Sequence, residues 1–275
     1  MKYNFEKALF INKPTSVGKD ISRLYFGNEF CENLIPDANV LKGWYVFAEK
    51  KKKKFTFVTP FVTDAGLDKL GILFSFLNQQ KDVEVVFNDW GIFYLLKNNF
   101  KNLTPVLGRL LTKQRRDPRM LKIFLDKQSQ VVINAKSRKI IKVPKKGPPT
   151  LFEHHQASVI NAPVFQKFLL SERIKRVEID NLIWKMNIDV PQAIGVSVYF
   201  PYGYITTGRM CWKLCLSYAP CKKECKKHFF RLMHKSLPVP FYAKGNTVFY
   251  KSSRLDFESL QHLKNLRIVY QAELP

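Results

Sequence analysis

Acidic residues are few in this chain: 22 Asp+Glu stand against 46 Lys+Arg, a formal net charge of +24 over 275 residues. Such a surface repels cations and attracts polyanions, notably RNA, DNA and anionic lipid. Long apolar runs are also missing, and none approaches the roughly 20 residues of a membrane span. Glu6 and Lys7 interrupt what would be the apolar part of a leader, so no export signal is expected and the cytoplasm is the expected location. With 12 glycines and 15 prolines, collagen-like and low-complexity structure are excluded. Neither G-x-G-x-x-G nor G-x-x-x-x-G-K-[ST] occurs, which removes the phosphate-binding turn of most open doubly wound sheets. There is no H-E-x-x-H and no convincing Ser-His-Asp order. The five cysteines are odd in number, and without an export signal a disulfide framework is not expected.

What is present is core-forming. Hydrophobic residues make up 46% of the chain, too many for intrinsic disorder. Short β-prone runs alternate with helical patterns. Lys7–Asn12, Arg23–Phe30, Phe55–Val62, Val83–Asn88, Thr104–Leu111, Arg176–Asn181, Gly195–Pro201, Thr247–Tyr250 and Leu266–Gln271 read as strands. Asp37 to about Lys51, Asp64–Gln80, Trp90–Asn99 and Pro163–Arg173 read as helices; Leu67, Leu70, Leu73, Phe74 and Leu77 keep to one helical face. Val131–Val143 reads as a hairpin excursion. Repeated βα units require a parallel sheet with helices outside. Their number predicts an α/β fold, a TIM-like (β/α)8-type barrel with room for irregularity, as one domain over 1–275. An open doubly wound sheet is the second choice.

The charge is uneven. Between Lys101 and Lys146 there are 14 Lys/Arg and two acids, Asp117 and Asp126; from Arg209 to Lys251 there are ten basic residues and one acid, Glu224. These stretches make RNA a candidate partner, with solvated surface as the plain alternative.

The cysteines carry the sharpest chemical signal. Cys211, Cys215, Cys221 and Cys225 fall within 15 residues, in a Cys-rich segment at 208–235, and Cys221-Lys-Lys-Glu-Cys225 is C-x3-C. Cys31 stands apart, directly after the second strand, and Gly208-Arg209-Met210-Cys211 reads as the end of a strand that begins near Gly195. In a barrel, strand ends meet at one mouth, so Cys31, Cys211, Cys221 and Cys225 can converge there as the four thiolates of a 4Fe–4S cluster. Lys222, Lys223, Lys226 and Lys227 would favour thiolates and offset the charge of such a cluster. The alternative is structural zinc on Cys211, Cys215, Cys221 and Cys225, with Cys31 a buried bystander. Spacing does not separate the two.

Other polar residues are weaker candidates. Asp89 and Asp180 each end a strand, where a carboxylate either contacts substrate or caps a helix; Glu178 would share a barrel layer with Asp180. His154 and His155 read as lying in a loop after Pro149, and His228 and His234 flank the cysteines. Tyr199, Tyr202, Tyr204 and Trp212 are core residues by default and a stacking wall for a ring by alternative.

At these residues the sequence resembles the collagenase-like peptidases, family 32 of the unclassified peptidases. Leu24-Tyr25-Phe26-Gly27-Asn28-Glu29-Phe30-Cys31 is similar to that family's second strand, and Phe87-Asn88-Asp89-Trp90-Gly91 to its strand-to-helix turn. Arg176–Asn181 resembles a late strand, and Thr207-Gly208-Arg209-Met210-Cys211 the approach to its cysteines. The arrangement is most like the branch holding the smaller partner of the anaerobic ubiquinone-biosynthesis pair. The resemblance implies a TIM-like barrel and a 4Fe–4S cluster on Cys31, Cys211, Cys221 and Cys225; Cys215 has no counterpart. It further implies oxygen-independent hydroxylation or another ring modification, on a quinone-type or RNA substrate, with a homologous barrel subunit as partner. Two other functions remain open: an RNA-binding or RNA-modifying protein with a structural zinc, and a metal-assisted peptidase, which rests on the family's name.

Overall fold

Alternation within the short apolar runs sets the architecture. In β8 (Arg176–Asp180), Val177 and Ile179 point one way and Glu178 and Asp180 the other, and all four are buried. A strand buried on both faces, with polar groups on one, fits a closed sheet whose interior holds those groups. The computed structural model has that form. It describes residues 5–118, 129–133, 136–138, 140–144, 149–211, 220–235, 237 and 239–275.

Eight parallel strands close a barrel. They are β1 (Glu6–Phe10), β2 (Arg23–Gly27), β3 (Lys54–Val58), β4 (Glu84–Phe87), β5 (Thr104–Leu107), β8, β9 (Gly195–Phe200) and β14 (Leu266–Gln271). Around the barrel the order is β1-β14-β9-β8-β5-β4-β3-β2. The last strand closes the ring between the first and β9, with Ala8 opposite Val269 and Ile268 opposite Val198. The expected TIM-like barrel is therefore present, with uneven cladding. Among the described residues, α1 (Ala38–Lys50), α2 (Asp64–Leu77) and α3 (Trp90–Asn99) follow β2, β3 and β4. Further on, α4 (Pro149–Gln156) and α5 (Pro163–Ser171) precede β8, whereas the β1–β2 and β8–β9 connections carry no α-helix. The Val131–Val143 reading matches the antiparallel pair β6 (Ser129–Ile133) and β7 (Ile140–Pro144). No described helix is long and apolar enough to cross a membrane.

Two expectations need correction. Thr247–Tyr250 is no barrel strand. It lies in β13 (Thr247–Lys251), within an antiparallel sheet ordered β10-β13-β12-β11, with β10 (Tyr202–Thr207), β11 (Phe230–Leu232) and β12 (Phe241–Lys244). Likewise the strand beginning at Gly195 does not run on to Cys211. It stops at Phe200, and Pro201, which has no N–H to give a ladder, separates it from β10. Cys211 thus follows the end of β10, in a sheet inserted in sequence between β9 and β14.

Two apolar layers hold the barrel. Phe57, Val85, Ile179, Val198 and Ile268 face outward into the main core with Leu70, Phe74 and Ile92 of the helices. Phe10, Tyr25, Val58, Val86, Tyr199 and Val269 fill the interior. Below them, at the N-terminal end, Arg267 donates to Glu84 Oε2 at 2.6 Å and Oε1 at 3.0 Å and to Glu6 Oε2 at 2.7 Å, while Arg23 reaches Glu6 Oε1 at 3.2 Å. Burial opposes ionisation of Glu84, but Arg267 and then Arg23 outweigh it and hold its carboxyl at about 2.

Candidate metal centre at the barrel mouth

Cys31 is placed by a turn its own neighbours build. Gly27 ends β2 at φ +135°, where a Cβ would run into the Val58 carbonyl. The Asn28 side chain then accepts hydrogen bonds from the Phe30 and Cys31 amides, at 3.0 and 2.8 Å. That Asx-type turn sets Cys31 above the barrel's C-terminal end. Glu32 ties the same loop to the start of α2, accepting from the Thr63 amide at 2.7 Å.

The other cysteines come from the inserted sheet. Cys221 precedes a left-handed Lys223, φ 55°, and Cys225 is the middle residue of the single 3-10 turn Glu224–Lys226, so the C-x3-C bite sits in a loop. Gly245 lies against Cys225; a Cβ there would stand 3.5 Å from its sulfur. Asn246 binds both arms of the site, donating to the Phe30 carbonyl beside Cys31 and to the Gly208 carbonyl before Cys211. Cys31 and Cys225 line one cavity of about 360 Å³ together with Lys244 and Asn246.

Two of the thiols are shifted by their surroundings. Burial, then Cys225 and Cys221, pushes the Cys31 thiol up. Burial and Cys221 push the Cys225 thiol up, Lys244 pulls it back, and Cys211 adds a further upward push. Cys31 thus feels Cys225 and Cys221, and Cys225 feels Cys221 and Cys211; none of these four is in a disulfide, and all are half-buried. The expected thiolate-favouring effect of Lys222, Lys223, Lys226 and Lys227 is corrected for these two thiols. All four lysines are exposed to solvent, and Lys244, half-buried, is the cation that acts on Cys225. Cys215 and Trp212 lie outside the described residues. Among the described residues, no group of three or more His, Cys, Asp or Glu is placed so that it could hold a metal ion.

Next to the cysteines stands a buried charge clasp that sequence reading missed. Arg109, wholly buried, donates to Glu29 through Nε at 2.9 Å and Nη2 at 2.5 Å, and to Asp180 Oδ1 at 2.6 Å. Arg116 holds the other Asp180 oxygen at 2.7 Å. The guanidinium of Arg109 lies 4.0 Å from the Tyr199 ring centroid, and that of Arg116 lies 3.9 Å from Tyr204. Glu29 and Asp180 hold Arg109 cationic against its burial. Below the clasp, Glu178 accepts from the Tyr199 hydroxyl at 2.7 Å, and its Oε1 has no hydrogen-bond partner. Burial, then the nearby Glu29, raises its carboxyl to about 8. The signal for Arg109 was a charge inside the apolar run Thr104–Leu111, whose strand stops at Leu107.

The weaker candidates fall as follows. Asp180 is locked in the clasp, away from solvent. Asp89 caps α3, accepting from the Gly91 amide at 2.8 Å, and also lines a second cleft of about 840 Å³. That cleft presents Phe61, Trp90 and Tyr204 beside Arg116 and Arg209. Tyr202 packs with the apolar group of Phe30, Tyr204 and Phe249. His154 and His155 sit on α4, where His154 meets Arg115 at 3.3 Å, and His228 and His234 are exposed.

No family model matches the chain, and no curated protein matches it. Among solved structures it is similar to a glycoside hydrolase family 18 N-acetylglucosaminidase from Paenibacillus barengoltzii, at 9% identity, covering 96% of this chain and 94% of that one, with a TM-score of 0.36.

Proposed function

We propose that this barrel carries an iron–sulfur cluster at its mouth and takes part in an oxygen-independent ring modification, of which hydroxylation is the leading case. One observation carries the reading: Cys31 and Cys225, almost 200 residues apart in sequence, line one cavity, and the charges of Cys221 and of either Cys225 or Cys211 act on each of them. Thiols so arranged are stabilised when a cationic centre takes their charge. In residue type the four cysteines are the donor set that a 4Fe–4S cluster takes. When bound, such a cluster supplies one-electron chemistry.

The chain's own residues do the rest. Asn28 and Asn246 fix the two arms that bear Cys31 and Cys211. Lys244 offsets negative charge beside Cys225. The larger cleft offers aromatic faces in Phe61, Trp90 and Tyr204 for a ring, with Arg116 and Arg209 at its wall. Asp180 of the buried clasp holds Arg116, which lines that cleft, at 2.7 Å. Zinc on Cys211, Cys215, Cys221 and Cys225 is the weaker reading, because Cys31 shares both cavity and charge field with Cys225. The test is anaerobic purification with iron and acid-labile sulfide assays and electron paramagnetic resonance after reduction. We expect iron and sulfide in near-equal amounts and a cluster signal. Colourless protein with one zinc would overturn the reading.

A further inference from the structure

Two helices of the barrel's outer layer keep large apolar side chains on the side away from the core. The helices α3 and α5 lie side by side and run the same way. Trp90 meets Phe168 with ring centroids 5.7 Å apart, and further along both helices Lys97 meets Glu172 at 2.6 Å. A barrel helix spends its apolar residues on the strands behind it, and Ile92, Phe93, Leu96 and Leu169 do that here. Others are left over on the outer face: Trp90 is 40% exposed, Tyr94 70%, Val164 81% and Phe168 37%. Trp90 and Tyr94 stand at i and i+4 on one helix, Val164 and Phe168 at i and i+4 on the other, so they form one patch and not scattered single residues. Among the described residues the Trp90 indole N–H and the Tyr94 hydroxyl make no hydrogen bond.

The charge beside the patch has one sign. Residues 90–101 and 163–175 hold Lys97, Lys101, Lys167, Arg173 and Lys175, all exposed, and one acid, Glu172, which Lys97 occupies. Apolar and basic residues are also layered along the helix axes. Trp90 and Val164 open the two helices at the barrel's C-terminal mouth, whereas Lys97, Lys101, Arg173 and Lys175 lie in or beyond the last turns. From Trp90 to Lys97 the helix rises roughly 10 Å. An apolar face that lies in a membrane boundary sinks to a similar depth, roughly 5–10 Å.

We propose that this face seats the protein on an anionic lipid surface. Trp90, Tyr94, Val164 and Phe168 enter the boundary between headgroups and acyl chains, and the basic residues stay among the phosphates. The occupant follows from the chemistry. Indole and phenol rings with an unused polar tip are the side chains of membrane–water interfaces. The basic rim selects anionic headgroups, and the net charge of +24 adds long-range attraction. A second copy of the chain is disfavoured, because it would set this basic rim against itself. Trp90 also lines the larger cleft, so a protein seated this way holds the rim of that cleft at the lipid surface. The cysteines play no part in this contact.

The test uses the full chain and vesicles of phosphatidylcholine alone or mixed in equal parts with phosphatidylglycerol, at low and raised ionic strength. We expect co-flotation with the anionic vesicles only, weakening with salt. Lys101→Glu/Lys167→Glu should lose about tenfold or more in affinity. Lys19→Glu/Lys50→Glu, the same change of net charge on other elements, should lose far less. Tyr94→Ser/Val164→Ser should weaken binding and keep its salt dependence. Brominated lipid should quench the fluorescence of the wild type more than that of Trp90→Phe. Should a double variant fail to fold, Lys167→Glu and Tyr94→Ser alone decide. Absence of binding at low salt overturns the proposal, as do equal losses from the two charge reversals or unchanged binding by Tyr94→Ser/Val164→Ser. Capture of polyuridylate and not of vesicles, lost on the Lys101→Glu/Lys167→Glu reversal, overturns it in favour of nucleic acid. A lipid-free dimer that Tyr94→Ser/Val164→Ser dissociates overturns it in favour of a second copy.

Discussion

Replacing Glu178 by glutamine should stabilise the protein at neutral pH, and increasingly so as pH rises. The side chain is wholly buried in the barrel, receives one hydrogen bond from Tyr199, and leaves Oε1 without a partner. Its folded-state value of about 8 lies well above the ordinary 4.5. For an acid raised on folding, the folded state holds a proton that the unfolded chain releases. Stability is then undiminished below the unfolded value and falls as pH climbs towards the folded one. Between about pH 5 and pH 7, with those two values, the wild type should lose about 2.5 kcal/mol relative to the variant. Glutamine has the same shape, still accepts from Tyr199 and cannot ionise. Subtracting one protein from the other also cancels every other titrating group. The assay is urea unfolding of both proteins across that pH range. Parallel curves, with a constant difference, would refute the reasoning and show that the carboxyl is ionised or hydrated in the fold.

Three further outcomes follow from the same geometry. Arg109→Met leaves Glu29 and Asp180 buried without their shared cation and should cost about 3–5 kcal/mol, seen as loss of the cooperative unfolding transition or of soluble protein. Asp89→Ala removes the α3 cap and should cost about 1 kcal/mol, measured by urea unfolding, with metal content unchanged. Asn28→Ala frees the turn that presents Cys31 and should lower bound iron more than it lowers the melting temperature, read by iron assay and calorimetry on one preparation.

Much of the barrel was legible because each strand carries its own local signal. The runs at Phe55, Val83 and Leu266 are β-branched or aromatic, and the helices after them keep an apolar face. The inserted sheet was not legible. Pro201 breaks an extended stretch that reads as continuous, and β11 has no apolar alternation at all, since every residue in it is exposed. The clasp escaped for a different reason. Arg109 meets Glu29 across 80 residues and Asp180 across 71, and no local pattern encodes a pair so far apart. The thiol environment was misjudged because four lysines lie close in sequence yet point to solvent, whereas Lys244 arrives from β12.

The central claim is that Cys31 belongs to the same centre as Cys211, Cys221 and Cys225. It is tested most directly by purifying Cys31→Ser and Cys215→Ser side by side under anaerobic conditions and assaying iron, zinc and acid-labile sulfide. The account predicts that Cys31→Ser loses most of its iron and colour, while Cys215→Ser keeps both. Retention of metal by Cys31→Ser together with its loss from Cys215→Ser would contradict the account and assign the centre to the late cysteines alone.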